Sequence, residues 1–347
     1  MRGVRLAFDA MMDARAASME AAAPDAAARL SAVRRYGNFS QAYSTAVQTG
    51  LRHFGDAGGY IAYGEKMGSR IALGDPVAAR DRWPELLAGF VKAAGRPSFA
   101  EISHETAVLL APMGYRIARI GFDTALDLAA YDFSGPKKEK VRYAQNWLAR
   151  SGYAIVEEQE LEGAHDAALA LSAQWRCTRV VKRREMAFMN RPFPTKPDTL
   201  MRRFLLLSPE GGVVALLYFD PLFEDGAVVG YVAVFKRRHP DATNTAELGL
   251  LKHAVDVFRQ EGCATVTLSL APFADTRPSG FPENACFRLM LGRLYQSQLV
   301  NRKVFNVQGH AEQRRRLYGR QIPRYFAWGC GSPFVHLTSL LRLCKAV

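Results

Sequence analysis

The apolar positions of this chain change period in a repeating order. Residues 1–30 are Ala-rich and helix-prone without a clear apolar stripe. Residues 36–51 space their apolar side chains helically after Asn38 and Ser40, two candidate caps. Residues 58–73 predict a hairpin around the turn EKMGS, stopped by Gly74-Asp75-Pro76. An amphipathic helix is expected over 83–94, a short strand over 98–103, a helix over 105–113 ended by Gly114, and a strand pair over 117–128. Residues 136–152 predict a basic helix stopped by Gly152, 153–159 a strand, and 164–185 a second basic helix. The loop NRPFPTKPD follows. Beyond it, apolar strands are expected at 203–207, 213–220 and 228–235, a long helix at 245–260, a strand at 264–270, a helix near 286–299 and a basic helix near 308–318.

Strands, helix, strand therefore occur twice, more clearly the second time. This order resembles the N-acetyltransferase-like (GNAT) fold, in which antiparallel strands lead into a central helix and a further strand. The expected fold class is α+β, with tandem GNAT-like domains joined by a basic helix. The expected division is an N-terminal helical extension (1–35), a first GNAT-like domain (36–135), basic linking helices (136–185), a second GNAT-like domain (186–330) and a C-terminal amphipathic segment (331–347). No repeat is visible residue by residue, so the duplication rests on element order.

Composition narrows the function classes. The chain has 347 residues, and 49% are aliphatic, aromatic or Cys, enough for more than one core. The longest apolar run, 227–235, is far short of the ~20 residues that span a bilayer. The N-terminus lacks the continuous apolar stretch of a secretory signal. Five cysteines without a CxxC fit reduced thiols in a cytoplasm. Lys and Arg number 46 against 33 Asp and Glu, for a formal charge of +13. Such a balance suits an anionic partner, nucleic acid or an acidic membrane surface; a basic but inert surface is the plain alternative.

The loop between residue 235 and the central helix reads KRRHPDATNTAEL. A backbone cradle for pyrophosphate needs glycines, and none stands between Phe235 and Gly249. Lys236, Arg237, Arg238 and His239 occupy the position instead, and Asn244 with Glu247 forms a candidate capping box. Three basic clusters recur: Lys137, Lys138, Lys140 and Arg142; Arg176, Arg179, Lys182, Arg183 and Arg184; and Arg314, Arg315, Arg316 and Arg320. Tyr143, Trp147, Trp175, Tyr318 and Tyr325 are interleaved with them, a mixture suited to phosphate contact and base stacking, or to a solvated face. HExxH, GxSxG and P-loop motifs are missing, and the histidines never pair at metal-ligand spacing.

Residues 305–325, FNVQGHAEQRRRLYGRQIPRY, resemble the Asn-x-Gln-Gly…Lys-x-Lys-Phe…Pro-Arg-Tyr signature of the phosphatidylglycerol lysyltransferase C-terminal domain family. IALGDPV (71–77), Asn146 to Gly152, Trp175, Arg238-His239 and LSLAPF (268–273) match the same family in order. Departures are Ala246-Glu247 for Met-Asp, Arg316-Leu317 for Lys-Phe, and Gln321-Ile322 for Trp-Glu. The multi-span region that precedes this domain in such proteins has no counterpart in these residues. The resemblance implies an enzyme that moves an aminoacyl group, Lys or Ala, from aminoacyl-tRNA to a hydroxyl of phosphatidylglycerol or a related anionic lipid. It implies no cofactor and no metal, and a cytoplasmic location with peripheral membrane contact as an option. By the same resemblance Glu247 binds the donor ammonium, Arg316 contacts phosphate, and Asn306 and Gln308 donate hydrogen bonds near the carbonyl. Arg238, His239, Arg324, Lys138, Arg142, Arg183 and Trp175 contact tRNA or lipid. The C-terminal segment could rest on a membrane or pack on the body. An acyl-CoA-dependent N-acyltransferase and a non-catalytic RNA- or lipid-binding module are the alternatives.

Overall fold

The computed structural model describes residues 22–178, 185–243, 245–303 and 305–346, with residues 7, 8, 10, 11, 13 and 19. Arg179, Lys182, Arg183, Arg184 and Asn244, together with fifteen of the 35 residues of the expected helical extension, lie outside the described residues.

Helices α1 (Ala26–Tyr36) and α2 (Ala42–Val47) precede the strands β1 (Arg52–Asp56), β2 (Gly59–Lys66), β3 (Ser69–Leu73) and β4 (Val77–Ala78). Helix α3 (Trp83–Ala93), strand β5 (Ser98–Ile102), helix α4 (His104–Leu110) and strand β6 (Arg116–Asp127) follow. Then come α5 (Glu139–Arg150), β7 (Ala154–Glu157) and α6 (Ala164–Cys177). Next are β8 (Arg202–Leu207), β9 (Val213–Glu224), β10 (Ala227–Arg238), α7 (Ala246–Gln260) and β11 (Thr265–Pro272). The chain closes with α8 (Ala285–Gln296), α9 (Gln298–Lys303), α10 (Val307–Arg315), β12 (Arg320–Trp328) and α11 (Pro333–Leu343).

All these strands join one sheet in the order β1-β2-β3-β5-β12-β6-β11-β10-β9-β8-β7, with β4 beside β2. Its two parallel pairs are β3 with β5 and β10 with β11. Each is the pair bridged by a helix, α3 in one case and α7 in the other, because a parallel return needs a crossover. The remaining neighbours are antiparallel. Two strands cross over between the halves: β12, late in the chain, lies between β5 and β6, and β6 pairs with β11.

Helices cover both faces of the sheet. On one face of the second half, α5 and α7 bury Val141, Leu148, Leu250, Val255 and Phe258 against β8–β11. On the other, α1, α2 and α6 bury Val33, Tyr43 and Leu171. In the first half, α3 and α4 contribute Leu87, Phe90 and Leu110 to one core. Helices α8 and α11 contribute Phe287, Leu291, Leu337 and Leu340 to the other. The C-terminal segment thus uses its apolar face on the body.

Three local expectations change. The expected strand pair over 117–128 is one long strand, β6 (Arg116–Asp127), because Gly121 and Asp123 pair with Arg324 and Ile322 of β12 and do not form a turn. The stretch 36–51 splits into the end of α1, a loop and α2. Strands β1 and β12 are additions to the expected set: RHFGD carries too few apolar residues to read as a strand, and Pro323 interrupts RQIPRYFAW.

Candidate active site

The long helix α7 begins where β10 ends, so the last residues of β10 face its first turn. Glu247, in that turn, receives Lys236 Nζ at 3.1 Å and Arg238 Nε at 3.5 Å. Gln313 of α10 donates its Nε2 to Glu247 at 3.2 Å and accepts from Lys236. Burial would raise the Glu247 carboxyl, but Lys236, Gln313 and Arg238 outweigh it and hold it below the usual carboxylate range. The Glu247 charge is therefore spent on cations of its own chain.

At the next residue, Arg314, α10 enters a second and deeper cluster. Arg314 is 8% exposed. Its Nε donates to the Leu268 and Ser269 carbonyls of β11 at 2.8 and 3.1 Å, and its Nη1 meets His310 Nδ1 at 2.5 Å. None of these bonds uses Nη2. Strands β10 and β11 pair only from Gly230↔Thr265 to Val232↔Thr267 and then part, so Arg314 ties down carbonyls beside the gap. Ser269 closes the same gap by donating its hydroxyl to the Ala233 carbonyl at 2.9 Å.

Asp123, fully buried on β6, accepts from Arg324 Nε and Nη2 at 2.9 and 2.8 Å and from the Ser40 hydroxyl at 2.6 Å. Glu101, 2% exposed on β5, accepts from Gln41 Nε2 at 2.8 Å. Burial raises the Glu101 carboxyl to about 8, with the Asp123 charge adding to it and Arg324 and Arg314 opposing. Burial pulls the Arg314 guanidinium down, against Asp123 and Glu101. For Arg324 the carboxylates Asp123, Asp75 and Glu101 win over burial and hold it above its ordinary value. Strands β3 and β5 likewise pair only up to Leu73↔Ala100, and Asp75, expected to shape a turn, links the chain beyond them: its Oδ1 accepts from the Ser103 N–H at 2.8 Å and from the Thr106 hydroxyl at 2.5 Å.

The structure sorts the expected residues into distinct places. Glu247 and Arg238 come together. Arg316 does not join them: it is an exposed residue paired with Glu312 one turn back. Asn306 caps α10 by accepting the Gly309 N–H at 2.8 Å, so its carbonyl oxygen is engaged, and Gln308 is exposed beside it. Arg324 is buried against Asp123 and does not present its charge to an outside phosphate. Arg142 Nη1 donates to the Phe133 and Gly135 carbonyls, both at 2.6 Å, and Lys138 lies 3.9 Å from the Tyr131 ring centroid. Both shape the loop before α5. Trp175 stacks under Arg237, 4.8 Å from its centroid, and His239 faces Asp241 at 3.5 Å. Arg183 lies outside the described residues. Sequence reasoning passed over Glu101, Asp123, Ser40, Gln41 and Arg314 as a set. The one available signal was Val307, Ala311 and Arg314 at i, i+4, i+7, which puts one arginine on the apolar face of α10.

A family profile described as phosphatidylglycerol lysyltransferase, C-terminal, matches residues 30–327. A phosphatidylglycerol lysyltransferase of Bacillus subtilis (strain 168) is 24% identical over 227 residues, which is 63% of this chain and 26% of that protein. The chain spans about a quarter of the length of the curated relatives it matches. Among solved structures, L-PGS from Bacillus licheniformis superposes with a TM-score of 0.75 at 18% identity, covering 94% of this chain and 99% of that one. FemX superposes with a TM-score of 0.54 at 9% identity over 92% and 100%. These likenesses show the fold, an α+β sheet of the FemX and L-PGS kind. With its fold shared and nearly all of its described length matched, the chain belongs to the phosphatidylglycerol lysyltransferase C-terminal family.

Proposed function

We propose that this chain is an aminoacyltransferase that moves a lysyl or alanyl group from aminoacyl-tRNA to a hydroxyl of phosphatidylglycerol or a related anionic lipid. The observation that carries the reading is the family match over residues 30–327. The net charge of +13 supports a polyanionic donor and an anionic lipid acceptor. The gap between β10 and β11 argues against coenzyme A. Its carbonyls are held by Arg314 and Ser269, which leaves an extended thioester arm little backbone to pair with. The division into two GNAT-like halves joined by basic helices is part of the same proposal.

The donor ester is already activated. The acceptor hydroxyl attacks its carbonyl carbon, a C–O bond forms, and the tetrahedral intermediate collapses with loss of the tRNA 3′ oxygen, which takes up the proton. Positioning and charge stabilisation are then what the protein must supply. Glu247 holds Lys236 and Arg238 at the mouth of the site, and these two cations meet donor phosphate. No helix among the described residues is long and apolar enough to cross a membrane.

The test is lipid extraction after expression, with mass spectrometry for aminoacylated phosphatidylglycerol. A new lipid of lysyl or alanyl mass is expected. In a reconstituted assay Arg238→Ala is expected to lower the transfer rate at least tenfold and Arg316→Ala to leave it within about twofold. Absence of any aminoacylated lipid with either charged tRNA would sink the reading.

A further inference from the structure

We propose that the outer surface of helices α8, α9 and α11 is a docking face for an anionic phospholipid bilayer. This rests on the transferase reading above, in which the acceptor is a membrane lipid, and says which side of the molecule meets the membrane.

The face is made of side chains that the folding core leaves out. On α8, Phe287 and Leu291 are buried against the sheet. Leu289 lies two residues from each, about half a turn round the helix, and is 60% exposed. Arg293, four residues further on, shares that outward stripe and is exposed. Helix α11 lies beside α8, with the Phe287 and Phe334 rings 5.8 Å apart. It buries Leu337 and Leu340 on the body, yet its first turn leaves Phe334 and Val335 exposed. The next helix after α8, α9, adds Leu299, 64% exposed, with Arg302 and Lys303 also exposed. Asn301 fastens this helix to its neighbours. Its Nδ2 donates to the Tyr295 and Ser297 carbonyls, both at 2.9 Å, and its Oδ1 accepts from the Gln308 N–H at 2.9 Å. Single exposed apolar residues are ordinary, but several on adjoining helices mark a contact surface.

Charge selects what covers it. The sequence has no Asp or Glu from 284 to 311, and none from 313 to 347. Glu283, just before α8, is paired with Arg288 at 3.0 Å. Arg293, Arg302 and Lys303 enter no ion pair among the described residues. Large apolar side chains among cations, with carboxylates kept away, suit an anionic bilayer: the apolar groups enter the interface and the cations meet lipid phosphates. A nucleic acid supplies phosphate but no apolar layer for Leu289, Leu299 and Phe334. A second copy would bring its own charge of +13 against this one.

The face also lies next to the candidate active site. Helix α10 follows α9 and carries Gln313 and Arg314 into the two polar clusters described above. Its nine residues span about 13 Å. A bilayer resting on α8, α9 and α11 therefore brings its head groups to the edge of the site.

The experiment is vesicle co-sedimentation of the full chain. One set of vesicles is phosphatidylcholine alone, the other an equal mixture with phosphatidylglycerol. The wild type is expected to bind the mixed vesicles at least tenfold more strongly, with the difference shrinking in high salt. The double variant Leu289→Glu/Phe334→Glu is expected to lose at least tenfold in that binding. Val108→Glu is the control, since Val108 is an exposed residue of α4, whose core lies on the other face of the sheet; it is expected to stay within about twofold. Melting curves confirm that both proteins are folded. Full vesicle binding by the folded double variant, an equal loss in Val108→Glu, or a double variant that loses binding to unfractionated tRNA and keeps binding to vesicles would each overturn the proposal. So would a wild-type dimer that ignores vesicles and that the double variant dissociates. Failure of the transferase reading looks different: vesicle binding that depends on this face, without aminoacylated lipid from any charged tRNA, sinks that reading alone.

Discussion

Arg314, Arg315 and Arg316 are consecutive, yet they meet three environments. Arg314 is buried among strand carbonyls, Arg315 donates to the Tyr295 hydroxyl and the Ala274 carbonyl, and Arg316 pairs with Glu312 in solvent. Helical phase makes the difference, since successive residues point about 100° apart. Arg316→Ala is expected to change stability by no more than about 0.5 kcal/mol. Asp123→Asn leaves Arg324 buried without its counter-charge, and a loss of about 3–5 kcal/mol is expected by denaturant unfolding. The Glu101 carboxyl provides a pH signature. Its folded-state value is about 8, and an unfolded Glu titrates near ~4.3. The folded protein therefore keeps a proton that the unfolded chain releases, and stability falls as pH rises from about 4.5 toward 8. Thermal melts across that window should decline more steeply for the wild type than for Glu101→Gln. Equal slopes would contradict the assignment.

At the scale of elements, periodicity was a good guide wherever a helix or strand buries one continuous face. Helix α7 was expected at 245–260 and forms over Ala246–Gln260, with Leu250, Leu251, Ala254, Val255 and Phe258 inward. Its crossing with α5 depends on Gly249, where an added Cβ would come within 2.2 Å of Leu148 Cδ1. Gly249→Ala should cost about 1–3 kcal/mol through overpacking. Adding Leu148→Ala should give a double variant less destabilised than the sum of the two, because the substitutions share one space. Strand β12 defeated the pattern for a physical reason. Pro323 lies where β12 pairs with β6 but has not yet met β5, whose pairing starts at Tyr325, so one side of the strand can do without a donor.

At the scale of the molecule, twelve strands among the described residues make one sheet, and its middle is built from distant parts of the chain. Asp123 and Arg324 are 201 positions apart and form a buried ion pair only because β12 inserts beside β6. A chain ending at residue 319 would lose β12 and expose the unpaired edges of β5 and β6. No cooperative unfolding transition is expected for it by circular dichroism. A truncated chain that melts like the full one would contradict the interleaved architecture.

The order of helices and strands, the basic charge, the absence of glycines after Phe235 and the family signature at 305–325 were all written in local sequence. Each depends on neighbours along the chain, through side-chain period, turn residues and short motifs. What only the tertiary structure decided is which charges are buried together. Burial of Glu101, Asp123, Arg314 and Arg324 arises where four separate segments converge, and no local pattern in any one of them carries that information. The same convergence withdrew Arg324 from the surface, and a separate meeting of β10, α7 and α10 left Glu247 already neutralised, since a side chain's role follows from what surrounds it in space; the Asn306 cap, by contrast, is local and reaches only three residues along the chain.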